Sequence, residues 1–262
     1  MSFSLTWFPN VLGAAGLKVA PVEGWETRGR GDVGEIHGVI CHHTGGAASG
    51  NMPSLRTLID GRSDLPGPLA QLGLGRDGTY YVIAAGRCNH AGTGVWNGLT
   101  NANRSFIGIE AENSGRADDR WLPVQIAAYQ HGVAAILKHI EKGPDFCAGH
   151  KEYALPAGRK IDPNLDMFAF RSAVAAVLDG SAQPLRTIPA SDAMRRPTLR
   201  RGASGEIVSA LQRALGLKPD GNFGPITEGK VRAFQREHAL VADGIVGPTS
   251  WGALYKVAKA QP

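Results

Sequence analysis

Three short apolar runs, rich in β-branched and aromatic residues, are followed by two longer stretches of helical period in the first part of the chain. The runs cover residues 36–41, 79–83 and 106–111. Runs of this length and composition predict buried β-strands. In residues 123–141 and 166–178, apolar side chains recur at three- and four-residue spacing, which predicts helices. Strands mixed with helices predict an α/β fold with a mixed central β-sheet flanked by helices.

The apolar pattern stops over residues 179–197, where glycine, proline and serine interrupt it. We interpret this stretch as an interdomain linker. We therefore expect a first domain over residues 1–180, a linker over 181–197 and a second domain over 198–262. A chain of 262 residues is long enough for one sizeable core and a small second domain.

An internal repeat follows the linker. Residues 220–227 return as residues 243–249, and each copy is a glycine-rich turn followed by proline. Proline suits the first turn of a helix, because its missing N–H would have no partner there. The repeat predicts a small three-helix domain. The residues expected in its core are Ile207, Leu211, Leu215, Val231, Phe234, Trp251, Leu254 and Tyr255.

Five side chains suited to catalysis or metal binding lie near the ends of predicted strands. They are His42, Glu110, His150, Lys160 and Asp162. Two of them end or directly follow strands given above, one follows residues 146–149, which fit a further short strand, and two lie in the loop after it. Two imidazoles and one carboxylate can hold a metal ion, a further carboxylate can move a proton, and a lysine can meet an oxyanion. This set is typical of a zinc hydrolase with three protein ligands and one open position.

Each of these roles has a simpler alternative. His43 adjoins His42, but neighbours in a strand point to opposite faces, so we expect only one of them at a metal. Cys147 is a rival ligand, although a buried thiol suits an apolar strand equally well. Glu110 could be a surface strand end, as we expect for Glu112, and Asp162 could be a turn residue.

Composition sets further bounds. The formal net charge of +5 favours polyanionic surroundings without choosing among nucleic acid, acidic lipid and an anionic cell wall. The three cysteines, Cys41, Cys88 and Cys147, are widely spaced and predict no disulfide framework, which is typical of a reducing compartment. Residues 1–20 lack the pattern of a signal peptide, and no run is long enough to span a bilayer.

Several of these segments occur together, and in the same order, in a known family. Residues 39–44, 89–92, 105–110 and 149–163 resemble the motifs of the type 2 N-acetylmuramoyl-L-alanine amidases. This family includes phage lysins, cytosolic anhydro-muropeptide amidases and animal peptidoglycan recognition proteins. The likeness covers about residues 36–178. Residues 199–254 resemble the peptidoglycan-binding domain of many wall hydrolases.

The resemblance implies a type 2 amidase fold in which His42, His150 and Asp162 bind one zinc ion. It implies that Glu110 is the general base, as in the anhydro-muropeptide branch, whereas in other branches a tyrosine from a different strand, here Tyr80 or Tyr81, would have that role. It also implies that Lys160 stabilises the tetrahedral intermediate. His90 would line the substrate groove without binding the metal. The bond cut would be the amide between N-acetylmuramic acid and L-alanine. Peptidoglycan would be both substrate and anchor, with no nucleic-acid partner and no stable membrane association.

Three functions are compatible with this resemblance. The first is a wall-lytic enzyme, either a phage endolysin or a bacterial autolysin. The apparent absence of a signal peptide favours an endolysin made in the host cytoplasm and released to the wall through a holin-type lesion. The second is a cytosolic amidase that recycles muropeptides, against which the wall-binding module argues. The third is a non-catalytic peptidoglycan recognition protein, against which Glu110 and Lys160 argue.

Overall fold

The computed structural model describes residues 2–182, 197–238, 240–247 and 249–254. The chain divides into two compact units, one formed by nearly all of residues 1–185 and the other mainly by residues 186–262. Most of the predicted linker lies outside the described residues, as do Pro248 and Tyr255 of the predicted second domain. The domain boundaries given above stay a prediction.

A six-stranded mixed sheet is the centre of the first unit. The strands described in this unit are β1 (Lys18–Pro21), β2 (Gly38–His43), β3 (Gly61–Arg62), β4 (Leu65–Pro66), β5 (Leu72–Leu74), β6 (Thr79–Val82), β7 (Phe106–Ala111) and β8 (Cys147–Gly149). The sheet has the order β1-β6-β5-β7-β2-β8, and β3 pairs only with β4. β5 and β6 are antiparallel, whereas all other neighbours in the six-stranded sheet are parallel. The predicted mixed sheet is therefore confirmed.

Helices flank this sheet, as the sequence predicts. Those described in the first unit are α1 (Phe8–Ala14), α2 (Leu55–Asp60), α3 (Ala102–Ser105), α4 (Pro123–His139), α5 (His150–Tyr153) and α6 (Met167–Leu178). Pro123 opens α4, and the Asp166 carboxylate caps α6 by accepting from the N–H groups of Phe168 and Ala169. None of the helices in the described ranges is both long and apolar enough to span a bilayer.

The two faces of the sheet pack against different groups of residues. Val39 and Cys41 in β2 belong to the large core that also contains residues of α4 and α6, such as Tyr129 and Phe170. Ile40 belongs to a separate cluster on the opposite side. Because successive side chains of a strand point to opposite faces, His42 lies on the face of Ile40, away from α4 and α6. This alternation decides which side of the sheet carries the candidate site.

The second unit is a small helical domain. Its described helices are α7 (Glu206–Ala214) and α8 (Pro225–Glu237), and residues 249–254 are also helical. The expected core residues that the structure describes are buried together, except for Ile207, which is partly buried against them. Pro225 opens α8, as the glycine-rich turn before it predicts.

The internal repeat extends to a pair of buried glutamines. The Nε2 atom of Gln212 donates to side-chain or backbone oxygens 8, 10 and 15 residues further along, in Asp220, Asn222 and Thr227. Gln235 does the same at 8, 10 and 15 residues, in Asp243, Ile245 and Ser250. Each glutamine therefore holds its glycine-rich turn against its own helix.

Candidate metal centre

Three parallel strands bring the candidate residues to one edge of the sheet. His42 lies next to the end of β2, in register with Glu110 of β7. His150 directly follows β8 as the first residue of α5. Since the carboxyl ends of parallel strands meet at the same edge, these side chains converge. Asp162 returns to the same place, because its carbonyl accepts a 2.7 Å hydrogen bond from the N–H of Lys151.

Two imidazole nitrogens and one carboxylate oxygen form a close triangle. His42 Nδ1 lies 3.0 Å from His150 Nδ1 and 3.1 Å from Asp162 Oδ2. His150 Nδ1 lies 3.0 Å from the same oxygen. A tetrahedral zinc ion with ligand bonds of about 2.0–2.1 Å holds its ligand atoms about 3.3 Å apart. The triangle is therefore close to the size of a zinc site.

The positions of the protons on these groups also suit the binding of a cation. His150 Nε2 lies 2.9 Å from the carbonyl oxygen of Ala91, which can only accept, so Nε2 carries the proton. In a neutral ring Nδ1 then presents a lone pair, and it faces the lone pairs of the Asp162 carboxylate. Two acceptors at 3.0 Å repel unless a proton or a metal cation lies between them, and a metal cation can take the place of that proton. Nitrogen and carboxylate donors together are a set that zinc accepts.

Charge states favour metal binding near neutral pH. Burial lowers the pKa of His42 to about 4, although contact with Asp162 opposes the shift, so this imidazole is neutral. Burial alone would raise the pKa of Asp162, but its contacts with His150 and His42 hold that pKa well below the usual range. A neutral imidazole and an ionised carboxylate are the forms that coordinate metals.

Glu110 lies beside the triangle with one oxygen unpaired. Its Oε1 is 3.9 Å from His42 Nδ1. Its Oε2 is buried and has no hydrogen-bond partner among the described residues. Burial, followed by the charges of Asp162 and Glu112, raises the pKa of Glu110 to about 8. An unpaired carboxyl that titrates near neutral pH is a candidate for proton transfer.

Lys160 is half-buried beside these groups. Burial is the largest influence on the pKa values of His42 and Glu110, and neighbouring groups come next. The charge of Lys160 makes a smaller contribution, which lowers both pKa values. The lysine therefore adds positive charge to the cluster, and a charge of this kind can stabilise a developing oxyanion.

The two rival ligands lie outside the triangle. His43 faces the other way, and its Nδ1 accepts from the N–H of Asn164 at 3.2 Å. Cys147 is fully buried, and its sulfur lies 3.6 Å from that of Cys41. Among the described residues, the group around His42 that could hold a metal ion consists of His42, His150 and Asp162.

Glu112 corrects one expectation from the sequence. It was expected at the surface, but it is fully buried. Its carboxylate accepts from the hydroxyls of Thr44 and Ser54 at 2.8 and 3.0 Å and from the Ser54 N–H at 3.0 Å. Burial nevertheless raises the pKa of Glu112. The loop after β2 covers this strand end with hydroxyl donors, and no local pattern around Glu112 signals that cover.

Comparisons with known protein families match two separate segments of the chain. Residues 32–165, just over half of the chain, match the family described as N-acetylmuramoyl-L-alanine amidase. Residues 204–254 match a family described as a peptidoglycan binding domain.

Similarity to individual proteins is more limited. The zinc D-Ala-D-Ala carboxypeptidase of Streptomyces albus G is 43% identical over 68 residues, 23% of this chain and 27% of the relative. The chain thus spans about a quarter of that curated relative's length.

Two solved structures show weaker likeness. The selenomethionine derivative of AmpD is 19% identical with a TM-score of 0.46, covering 66% of this chain and 99% of its own. The amidase AmiD from E. coli, solved with anhydro-N-acetylmuramic acid-L-Ala-D-gamma-Glu-L-Lys, is 19% identical with a TM-score of 0.45. It covers 92% of this chain and 97% of its own.

Proposed function

The chain belongs to the N-acetylmuramoyl-L-alanine amidase family, and we propose that it hydrolyses the amide bond between N-acetylmuramic acid and L-alanine in peptidoglycan. The observation that carries this proposal is the triangle of His42, His150 and Asp162 with the unpaired carboxyl of Glu110 beside it. Amide hydrolysis needs an activated water, a proton carrier and charge stabilisation at the carbonyl oxygen. This set of residues can provide all three.

His42, His150 and Asp162 are the residues that would hold one zinc ion. Three protein ligands leave one coordination position open, as catalytic zinc sites require. When bound, zinc supplies a Lewis acid for the scissile carbonyl and lowers the pKa of a coordinated water toward about 7. The neutral ring of His42 and the ionised carboxylate of Asp162 support this assignment.

Glu110 is our candidate for the residue that moves the proton. Its carboxylate would take a proton from the attacking water and pass it to the amide nitrogen as the amine leaves. Without metal, burial raises the pKa of Glu110 to about 8, and a bound cation would lower that pKa toward neutrality. The group could then accept and release a proton near neutral pH. The buried Oε2 has no competing hydrogen bond among the described residues.

Lys160 is our candidate for the residue that stabilises the oxyanion. Its ammonium group would face the carbonyl oxygen as that oxygen gains negative charge. Its charge already acts on both His42 and Glu110, which supports a position at the reacting centre.

The second unit would hold the enzyme on its substrate. Residues 204–254 match a peptidoglycan binding domain, and we keep 1–180, 181–197 and 198–262 as proposed boundaries of catalytic domain, linker and anchor. Tethering one site to the wall raises the local concentration of the other. The separately expressed segment 197–262 should sediment with purified sacculi, and recovery of that segment in the supernatant would contradict an anchoring role.

We further propose that the protein acts on the cell wall as an endolysin or an autolysin. The recycling of soluble muropeptides is the alternative. An endolysin would reach the wall through a holin-type lesion, so co-expression with and without a holin in a bacterial host tests that form of the proposal. Lysis that depends on the holin supports the endolysin, and lysis without it supports another route.

Product analysis on purified sacculi tests the activity itself. The full chain loaded with zinc should release new amino termini with L-alanine at the end, and no new reducing sugars. The matched control is Glu110→Gln, which keeps the size of the side chain and removes the base.

Each other outcome would contradict the proposal. New reducing sugars would indicate a glycosidase, and free D-alanine would indicate a carboxypeptidase. Cleavage restricted to soluble anhydro-muropeptides would indicate recycling. Binding to sacculi with no cleavage would indicate a recognition protein.

A further inference from the structure

Two consecutive residues, His90 and Ala91, contact both imidazoles of the candidate metal centre from behind. His90 Nδ1 lies 3.1 Å from His42 Nε2. The carbonyl oxygen of Ala91 lies 2.9 Å from His150 Nε2. One short segment therefore engages, in each of the two rings, the nitrogen that points away from the triangle.

The direction of these hydrogen bonds follows from a backbone carbonyl. His90 Nε2 lies 3.2 Å from the carbonyl oxygen of Phe106, which can only accept, so Nε2 of His90 carries a proton. His90 is buried, which disfavours a second proton on its ring. Its Nδ1 is therefore an acceptor, and His42 Nε2 donates to it. This leaves the lone pair of His42 on Nδ1, where the triangle needs it.

The opposite arrangement would block the site. If Nδ1 of His90 carried the proton, it would donate a hydrogen bond and Nε2 of His42 would have to be the acceptor. A neutral His42 would then carry its own proton on Nδ1, pointing at His150 and Asp162. The contact between His90 and the Phe106 carbonyl thus selects the form of His42 that can bind a metal.

The segment is itself held in place by two independent features. The side-chain oxygen of Asn103 accepts from the N–H groups of both His90 and Ala91, at 2.9 and 2.8 Å. Gly108 in β7 makes room for the imidazole, because a Cβ at that position would lie 2.6 Å from Cγ of His90. Both ring nitrogens of His90 are engaged within the protein, which leaves neither for a substrate.

We propose that His90 is a positioning residue that fixes the proton of His42 on Nε2. In this proposal the Ala91 carbonyl does the same for His150, and Asn103 holds both groups in place. The inference rests on the metal site of the proposed function and extends it to a relay that runs from the Phe106 carbonyl through His90 to His42. Outer partners of metal-binding histidines are typically worth about 10- to 100-fold in metal affinity.

The first test needs no variant. In metal-free full-length protein labelled with ¹⁵N-histidine, nitrogen shifts are read above the ordinary imidazole pKa of about 6.5. His42, His90 and His150 should each carry the proton on Nε2. A proton on Nδ1 of His42 or of His90 would overturn the proposal.

The second test uses matched pairs and a chelator competition for zinc. His90→Leu removes the acceptor and should weaken zinc binding about 10- to 100-fold, whereas His90→Asn keeps an acceptor near Nδ1 and should recover part of the loss. Asn103→Leu should also weaken binding, and Asn103→Asp, which keeps the accepting oxygen, should not. Equal affinities within both pairs would overturn the proposal, even if activity fell.

The parent protein separates this inference from the proposed function. If the parent binds no zinc, the metal site and this inference both fail. If the parent binds one zinc ion and the His90 and Asn103 pairs show no difference, only the positioning role fails.

Discussion

Gln212 in the second unit and Glu110 in the first are both largely buried polar side chains, yet their hydrogen bonding differs. The amide of Gln212 donates to Asp220, Asn222 and Thr227, and its oxygen accepts from the N–H groups of Asp220 and Gly221. One oxygen of Glu110 has no partner among the described residues. Beside it, His42, His150 and Asp162 turn acceptor atoms toward one another.

This difference in hydrogen bonding distinguishes polar groups that stabilise the fold from polar groups that are arranged to bind a ligand. A satisfied buried amide stabilises one conformation of a turn, because any other conformation leaves its partners unpaired. An unsatisfied buried carboxyl and a set of converging lone pairs cost stability and persist where chemistry needs them. Variants in the first unit should therefore lose function, and variants of the glutamines should lose stability.

The largest expected effect comes from removing a metal ligand. His150→Ala leaves two ligands, and zinc should no longer be retained after dialysis. A bound metal contributes several kcal/mol of transition-state stabilisation, so turnover on sacculi should fall by at least about 10³. His37→Ala, at an imidazole outside the triangle, is the control. Stoichiometric zinc in His150→Ala by elemental analysis would remove this residue from the site, and Cys147 would be tested next.

Removing the proposed base should spare the metal. Glu110→Gln should keep one zinc ion and lose about 10²–10⁴ in kcat, the usual contribution of a positioned general base. Glu35→Gln, at an exposed carboxylate, is the matched control. Near-parental kcat in Glu110→Gln would show that this carboxyl is only a strand end.

The same variant tests the pH profile. A base must be deprotonated, so kcat/KM of the parent should rise with pH as Glu110 loses its proton. A nearby bound cation favours the charged form and lowers the pKa, which places this limb below the value of about 8 found for the protein alone. Glu110→Gln should lack the limb. An unchanged limb in the variant would assign it to another group.

Lys160→Met should reduce kcat by about 10²–10³, the range for loss of one oxyanion-stabilising donor. Zinc content and affinity for sacculi should not change, because the lysine is neither a ligand nor part of the second unit. Lys138→Met, at an exposed lysine of α4, is the control. A rise in KM with unchanged kcat would instead indicate that Lys160 binds substrate and does not stabilise the oxyanion.

The glutamines should show the smallest effect on chemistry and a clear effect on stability. Gln212→Ala and Gln235→Ala each leave one buried hydroxyl, that of Thr227 or of Ser250, without its amide donor, at about 1–3 kcal/mol for each group left unsatisfied. Urea unfolding should show this loss for the second unit, while turnover on a soluble muramoyl peptide stays at the parental rate. Arg236→Ala, exposed next to Gln235, is the control. A loss of turnover without a loss of stability would contradict the view that the glutamines stabilise the second unit and take no part in catalysis.

Local patterns predicted the elements whose residues carry a clear period. The strand predicted over residues 106–111 is β7, and the helix predicted over 123–141 is α4, which ends two residues earlier. The sequence also predicted the three residues of the triangle as candidates. His42 and His150 directly follow predicted strands, and Asp162 lies in the loop after the second of these strands. Their roles at a metal stay predictions.

Contacts between distant segments could not be predicted in this way. β5 has three residues with a glycine at its centre, which is too short for a periodic signal, and it is recognised only by its pairing with β6 and β7. The burial of Glu112 depends on hydroxyls in another loop. The contact of His90 with His42 joins residues 48 positions apart, so its hydrogen bond is visible only in the folded chain.

The dependence of turnover on zinc tests the central claim most directly. Full-length protein is stripped with a chelator, its folding is checked by circular dichroism, and zinc is added back in steps while new amino termini are counted on purified sacculi. The account predicts that turnover is lost in the stripped protein and rises linearly until one zinc ion is bound per chain. Parental turnover in folded protein without metal would contradict it, and so would a folded chain that binds one zinc ion at His42, His150 and Asp162 and releases no amino termini.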